Sequence, residues 1–187
     1  MATEEPDFKL ISEEGVFQIR EYDPKIIAQV EVVGNFDEAS SKGFKLLADY
    51  IFGNNILEGE SQIISMTTPV EMSPLAENLL ITSPVMDDQV NDKWLINFVM
   101  PREYSLDTLP KPNNSQVKII ETPKEKFAVI VFSGLVRETS FAEKADLLSN
   151  YLIENSFKQQ GAIKIARYNP PWTLPFFRRN ELMVRID

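Results

Sequence analysis

Along residues 16–22 and 26–33 the chain sets β-forming apolar residues against polar ones with partial alternation, the mark of a half-buried strand. Asp23-Pro24-Lys25 lies between the two runs as a turn signal, so the pair predicts a hairpin, and Gly34 stops its second strand. The period then changes. Phe36, Ala39, Gly43, Leu46, Leu47, Tyr50 and Ile51 recur at helical spacing, behind a capping box of Asn35 and Glu38. Gly53-Asn54-Asn55 ends that helix through residues that tolerate a left-handed backbone. Residues 63–72 read as a strand broken by Pro69, which marks an edge or a bend. Residues 79–85 and 94–100 predict two more short strands around a polar loop at 87–92. An acidic lead-in over residues 1–15 contains a further short strand near residues 8–11.

The same order returns. After a proline-marked connector at 101–115, residues 117–121 and 127–132 predict a second hairpin around a turn at 122–126. Ser140 with Glu143 reads as a second capping box, followed by the stripe Phe141, Ala145, Leu148 and Leu152, flanked by Leu147 and Tyr151. Gly161 closes the helix, Ile163-Lys164-Ile165 leads into a proline-rich stretch, and residues 182–186 form a last strand. Ile19 and Ile119, Glu21 and Glu121, Ala28 and Ala128, and Gly34 and Gly134 are each 100 positions apart. Leu46 and Leu147, Leu47 and Leu148, Tyr50 and Tyr151, and Pro69 and Pro170 are 101 apart, which marks the two prolines as matching corners. A β-β-α-β unit written twice, over about 16–100 and 116–187, predicts an α+β domain spanning 16–187. Its duplicated unit forms a distorted antiparallel β-barrel flanked by two helices.

Composition narrows the chemistry. The chain has 187 residues and no histidine or cysteine, which removes disulfides, thiolates and the commonest general base and haem ligand. A net charge of −9 makes it a poor binder of nucleic acid or of an anionic membrane surface. No apolar run reaches the length of a membrane span, and the acidic N-terminus lacks a signal-peptide layout, so a soluble cytoplasmic protein is expected. No nucleophile motif, phosphate loop or metal-ligand spacing is present. Glu21 and Glu121 read as solvated or ion-paired strand residues in preference to an acid–base pair.

The segments Met66-Thr67-Thr68-Pro69-Val70, residues 166–181 (Ala-Arg-Tyr-Asn-Pro-Pro-Trp-Thr-Leu-Pro-Phe-Phe-Arg-Arg-Asn-Glu), and Tyr22-Asp23-Pro24 resemble the signature segments of the SOUL haem-binding family. That resemblance covers roughly residues 16–186. It implies the same barrel, and binding of haem or a related tetrapyrrole by a non-enzymatic carrier or buffer. Some members are proposed to ligate iron through histidine, which this chain lacks; the resemblance then implies the mode of other members, an apolar groove beside the first helix, or ligation through Met, Tyr or Lys. A planar tetrapyrrole needs an apolar slot and cations for its propionates. Phe44, Leu47, Ile51, Met66 and Val70 are placed to supply the slot, and Lys42, Lys45, Arg178 or Arg179 the cations. Leu47 and Ile51 read equally well as buried helix face, Met66 as a gap-filler, and Trp172, Phe176 and Phe177 as a plug in one barrel end. Two other functions stay open: an effector-binding barrel that grips amphiphilic or cationic organic ligands through acidic groups, and an enzyme acting on tetrapyrroles through Glu, Tyr or Lys.

Overall fold

The computed structural model of the chain describes residues 3–75 and 93–187. The strand expected at 79–85 and the loop at 87–92 lie outside the described residues. In chain order the elements are β1 (Phe8–Glu14), β2 (Phe17–Tyr22), β3 (Lys25–Val33), α1 (Phe36–Ile51), β4 (Asn55–Ile56), β5 (Val70–Pro74), β6 (Lys93–Val99), β7 (Lys111–Pro112), β8 (Lys118–Thr122), β9 (Glu125–Phe132), α2 (Glu138–Glu154), β10 (Gln159–Arg167) and β11 (Asn180–Ile186). A single 3-10 turn, Pro175–Phe177, interrupts the loop between β10 and β11. Nine strands form one curled antiparallel sheet, a half-barrel, in the order β1-β2-β9-β11-β10-β5-β6-β3-β8; β4 and β7 pair separately.

Apart from β1 at one edge, the order is symmetric about the β10–β5 seam, and it is not built from hairpins at the predicted places. β2 does not pair with β3, nor β8 with β9. Instead β2 pairs with β9, from Phe17–Ile130 to Tyr22–Glu125, and β3 pairs with β8, from Lys25–Thr122 to Gln29–Lys118. The register runs through without a slip, so residues 17–29 and 118–130 form one long two-stranded ribbon. Ile19 faces Ala128 and Ala28 faces Ile119, which makes the 100-residue repeat visible as two equivalent pairs. Pro24 and Pro123 sit where the ribbon bends. A proline has no N–H to give a ladder, so pairing lapses there, but a two-residue break bends each strand without reversing it. At the bend the buried phase shifts by one residue: Phe17 and Ile19 face the core before it, Ala28, Val30 and Val32 after it. The hairpin that does form is β1–β2, closed by Gly15 at φ +60°.

Both helices lie on one face of the sheet, α1 on β3 and β6, α2 on β9, β10 and β11. Leu47 and Leu148, matched in the repeat, are both fully buried between helix and sheet, as are Tyr50 and, almost fully, Tyr151. Asn35 caps α1 by accepting the Glu38 N–H at 3.0 Å. The second cap differs from expectation. Helix α2 starts at Glu138, and Ser140 sits inside its first turn, where its hydroxyl accepts the Arg137 N–H at 2.8 Å. The prolines are not equivalent corners either: Pro69 enters β5, whereas Pro170 leaves β10, because the link from helix to strand is far longer in the first half. The 101-residue spacing therefore holds through the helices and lapses after them.

Gly43 sets the depth at which α1 rides on the sheet. A Cβ built there would lie 2.6 Å from Ile96 Cγ1 and 2.8 Å from Ile96 Cβ. Gly43→Ala is expected to cost about 1–3 kcal/mol net through overpacking, despite the roughly 1 kcal/mol that alanine adds in helix propensity. Denaturant midpoints measure it.

Candidate functional site

On the helix-bearing face one flank of α1 borders a row of directly paired residues, a candidate groove. The row crosses three strands, Arg167 on β10, Val70 on β5 and Phe98 on β6, and Phe98 within it is buried at 4% exposure. Directly opposed residues in an antiparallel ladder point to the same face, so all three rise toward α1. The wall is α1 itself, where Ser40 and Phe44 stand one turn apart on the same side. Phe44 meets Phe98 edge-on, with ring centroids 5.4 Å apart, yet keeps 41% of its surface exposed. Met66, on the chain entering β5, is 37% exposed.

Arg167 is the charged residue of this groove. Its Nη1 donates to Ser40 Oγ at 3.0 Å, and its guanidinium lies over the Phe36 ring, 5.1 Å from the centroid. Its Nε is enclosed and bonds nothing. Burial lowers its pKa from the usual arginine value; Asp37 opposes this through space, while Arg178 adds to it. Among the described residues no carboxylate forms an ion pair with it.

The opposite face of the sheet is charged and closed. A row of paired residues crosses it: Gln29, Asn97, Glu71, Ala166, Glu181 and Val131. Glu71 is buried between Lys25 Nζ at 3.0 Å and Lys164 Nζ at 2.8 Å. Burial alone would raise its pKa, but the two ammonium groups outweigh burial and hold the carboxyl well below the usual carboxylate range. Glu181 is gripped by both terminal nitrogens of Arg20 at 2.8 and 3.0 Å, by the Tyr168 hydroxyl at 2.8 Å and by Arg179. Tyr22 accepts from Arg20, and burial pushes its hydroxyl up to about 12. The N-terminal segment straps this face: the Glu4 carbonyl accepts the Thr68 N–H, Glu5 pairs with Arg179, and Glu4 and Asp7 pair with Arg102. A cleft of about 390 Å³ remains beside the strap, lined by Asp7, Lys25, Met100, Arg102 and Tyr104 among others. Both buried carboxylates are thus already compensated by the protein's own cations.

The residues expected from sequence to bind a ligand separate into groups. Phe44, Met66 and Val70 border the groove. Leu47 and Ile51 are 0% and 1% exposed and belong to the core beneath it. Lys42 lies about 200° round the helix from Phe44 and donates to the Val33 carbonyl at 3.3 Å; Lys45 points outward. Arg178 is spent on its own loop, donating to the carbonyls of Thr173 and Pro171. Arg179 stands on the opposite face, 3.8 Å over the Tyr168 ring. Glu21 is ion-paired with Lys124 at 2.9 Å. The expected plug is overturned: Trp172 is 82% exposed, and Leu174, Phe176 and Phe177 are more than half exposed. Prolines and the Arg178 bonds brace this loop from within, so its rings pack on each other, Phe176 on Phe177 at 4.5 Å, and not into the barrel. Sequence reasoning missed Arg167, Arg20, Glu71 and Glu181 as buried charges. For Arg167 a signal existed, since it continues the alternate positions of Ile163 and Ile165, which face the core.

A curled antiparallel half-barrel sheet with two helices on one face defines the architecture, and among the described residues no cluster of metal-binding side chains accompanies it. The chain belongs to the SOUL heme-binding protein family, which it matches over residues 3–185. It is 27% identical over 179 residues to Heme-binding protein 1 of Xenopus laevis, an alignment covering 93% of this chain and 87% of that protein. In structure it is similar to the EcmrR C-terminal domain (TM-score 0.66, 8% identity, covering 91% of this chain and 96% of that one). It is also similar to an uncharacterized conserved protein from Listeria innocua (TM-score 0.59, 10% identity, covering 100% and 94%). At such identities these two structures speak for the fold alone. No helix among the described residues is long and apolar enough to cross a membrane.

Because the folded-state pKa of Glu71 is depressed, the stability it contributes is fully present above its unfolded value of about 4.3 and is lost as pH falls below that. Glu71→Gln leaves two lysines facing a neutral amide in a buried setting. It is expected to cost about 3–5 kcal/mol at neutral pH and to flatten the loss of stability between about pH 5 and 3. Urea unfolding at several pH values measures both.

Proposed function

We propose that the chain is a haem- or tetrapyrrole-binding protein, a carrier or buffer without a reaction of its own, and that its ligand lies in the groove along α1. Family membership and the heme-binding relative support the ligand class. The observation that carries the location is Phe44, a large aromatic left two-fifths exposed where it packs on buried Phe98, whose partner on β5 is the half-buried Val70. A macrocycle needs such a surface to bury one of its faces, at about 25 cal/mol per Å² of apolar area removed from water.

The residues present fit the macrocycle's apolar body. They offer iron neither imidazole nor thiolate, since the chain has neither, and Met66 is the sulfur donor beside the groove. When bound, haem supplies a redox-active iron. The protein's own part is to shield one porphyrin face with Phe44, Val70 and Met66 and to leave the other open, an arrangement suited to handing the ligand on.

Titrating haem at neutral pH is expected to give a Soret change that saturates near one equivalent. Phe44→Glu, at an exposed position, is expected to keep the far-UV circular dichroism spectrum and weaken binding at least tenfold, about 1.4 kcal/mol. Unsaturable uptake, or equal affinity in the variant, overturns the assignment.

A further inference from the structure

We propose that Arg167 is the docking point for a carboxylate, so that the α1 groove selects apolar molecules that carry an acid over cations and neutral amphiphiles. This rests on the groove reading above and names the chemistry of its ligand.

The argument is one of donors left over. A guanidinium presents five N–H donors in a planar fork. Arg167 uses one, toward Ser40 Oγ, and its enclosed Nε has no partner. Four other arginines are treated differently. Arg20 and Arg179 each hold Glu181, Arg102 holds Glu4 and Asp7, and Arg185 holds Glu125. Arg167 is more enclosed than Arg102 or Arg185 and has no carboxylate of its own among the described residues. Burying a cation without a counter-charge is unfavourable, and nothing in the core packing requires a cation at the end of the Ile163–Ile165 row. Asp37 acts on it only through space.

Position supplies the second half. Arg167 is directly paired with Val70, which is paired with Phe98, which touches Phe44. A planar apolar ligand laid on Val70 and the exposed Phe44 therefore lies beside the row that ends in Arg167, whose guanidinium has the Phe36 ring beneath it and Ser40 Oγ beside it. Carboxylate and guanidinium match fork to fork, a geometry lysine does not reproduce. The opposite face makes the contrast, for its buried carboxylates Glu71 and Glu181 are already held by Lys25, Lys164 and Arg20.

The test uses the full chain with metal-free protoporphyrin, its dimethyl ester, and palmitate. Wild type is expected to bind the free diacid at least tenfold more tightly than the ester by fluorescence titration. Arg167→Gln is expected to lose at least tenfold for the diacid, with the ester unchanged; Arg167→Lys is expected to resemble the glutamine variant. Because an uncompensated charge is removed, the melting temperature of ligand-free Arg167→Gln is expected to stay level or rise. Equal wild-type affinities for acid and ester, an equal loss for both in the variant, or a lowered melting temperature with no change in selectivity overturns the inference. Tight ester binding that Phe44→Glu abolishes would leave the groove standing while removing the carboxylate. Should neither porphyrin saturate the wild type, the groove reading for tetrapyrroles falls. The carboxylate inference is then decided by palmitate, which must raise the melting temperature of wild type and not of Arg167→Gln, or the inference falls with it.

Discussion

One long ribbon holds the two halves of this molecule together. Residues 17–29 pair with 118–130 in unbroken register across a facing pair of prolines, so each half's first strand completes the other half's sheet. Neither half can close its own ladder. An unpaired strand edge is a row of unsatisfied N–H and C=O groups, and here the edges are satisfied only by exchange. The helices follow from this. Once the ribbon shifts its buried phase at the prolines, Ile19, Ala28, Ile119 and Ala128 all face the same way, and that one apolar surface receives both α1 and α2.

The two faces of the sheet solve the problem of charge in opposite ways. On the strapped face every buried charge has a partner of opposite sign, and the acidic N-terminal segment adds compensation through Arg179 and Arg102. The result is a rigid, electrically settled surface. On the helix face one guanidinium is left under-used beside an exposed aromatic wall. The proposed site lies on the less-satisfied side, where a ligand would gain most from donors and apolar area that the protein has left without partners.

Element order was legible in the sequence because it rests on local signals: alternation in 16–22 and 26–33, the helical stripe from Phe36 to Ile51, the cap at Asn35. The repeat was legible through spacings such as Ala28 to Ala128. Pairing was not. Asp23-Pro24 looks the same whether a strand turns back or bends on, and the choice depends on a partner strand a hundred residues away. The exposure of Phe44 was legible because it sits on the flank of its stripe. Leu47 and Ile51 were offered on helical phase alone, which does not distinguish the rim of a groove from its foundation. Arg178 looked available until its bonds to Pro171 and Thr173 were seen, since nothing in an Arg-Arg pair reveals which member braces a loop. Arg167 lies inside the segment that carries the family resemblance, where its burial depends on strand phase and not on the motif.

The braced loop that bears Trp172, Leu174, Phe176 and Phe177 gives the chain's net charge of −9 a physical role. A stiff hydrophobic tip on every molecule is an adhesive spot, and two tips that meet would exclude water at no further conformational expense. Long-range repulsion between strongly acidic bodies keeps such encounters rare. That protection reaches only as far as the ionic atmosphere allows, about 30 Å in dilute buffer and about 8 Å at physiological salt. Colloidal behaviour in this protein is therefore a balance between a local patch and a global charge, and ionic strength sets which of the two neighbouring molecules sense first.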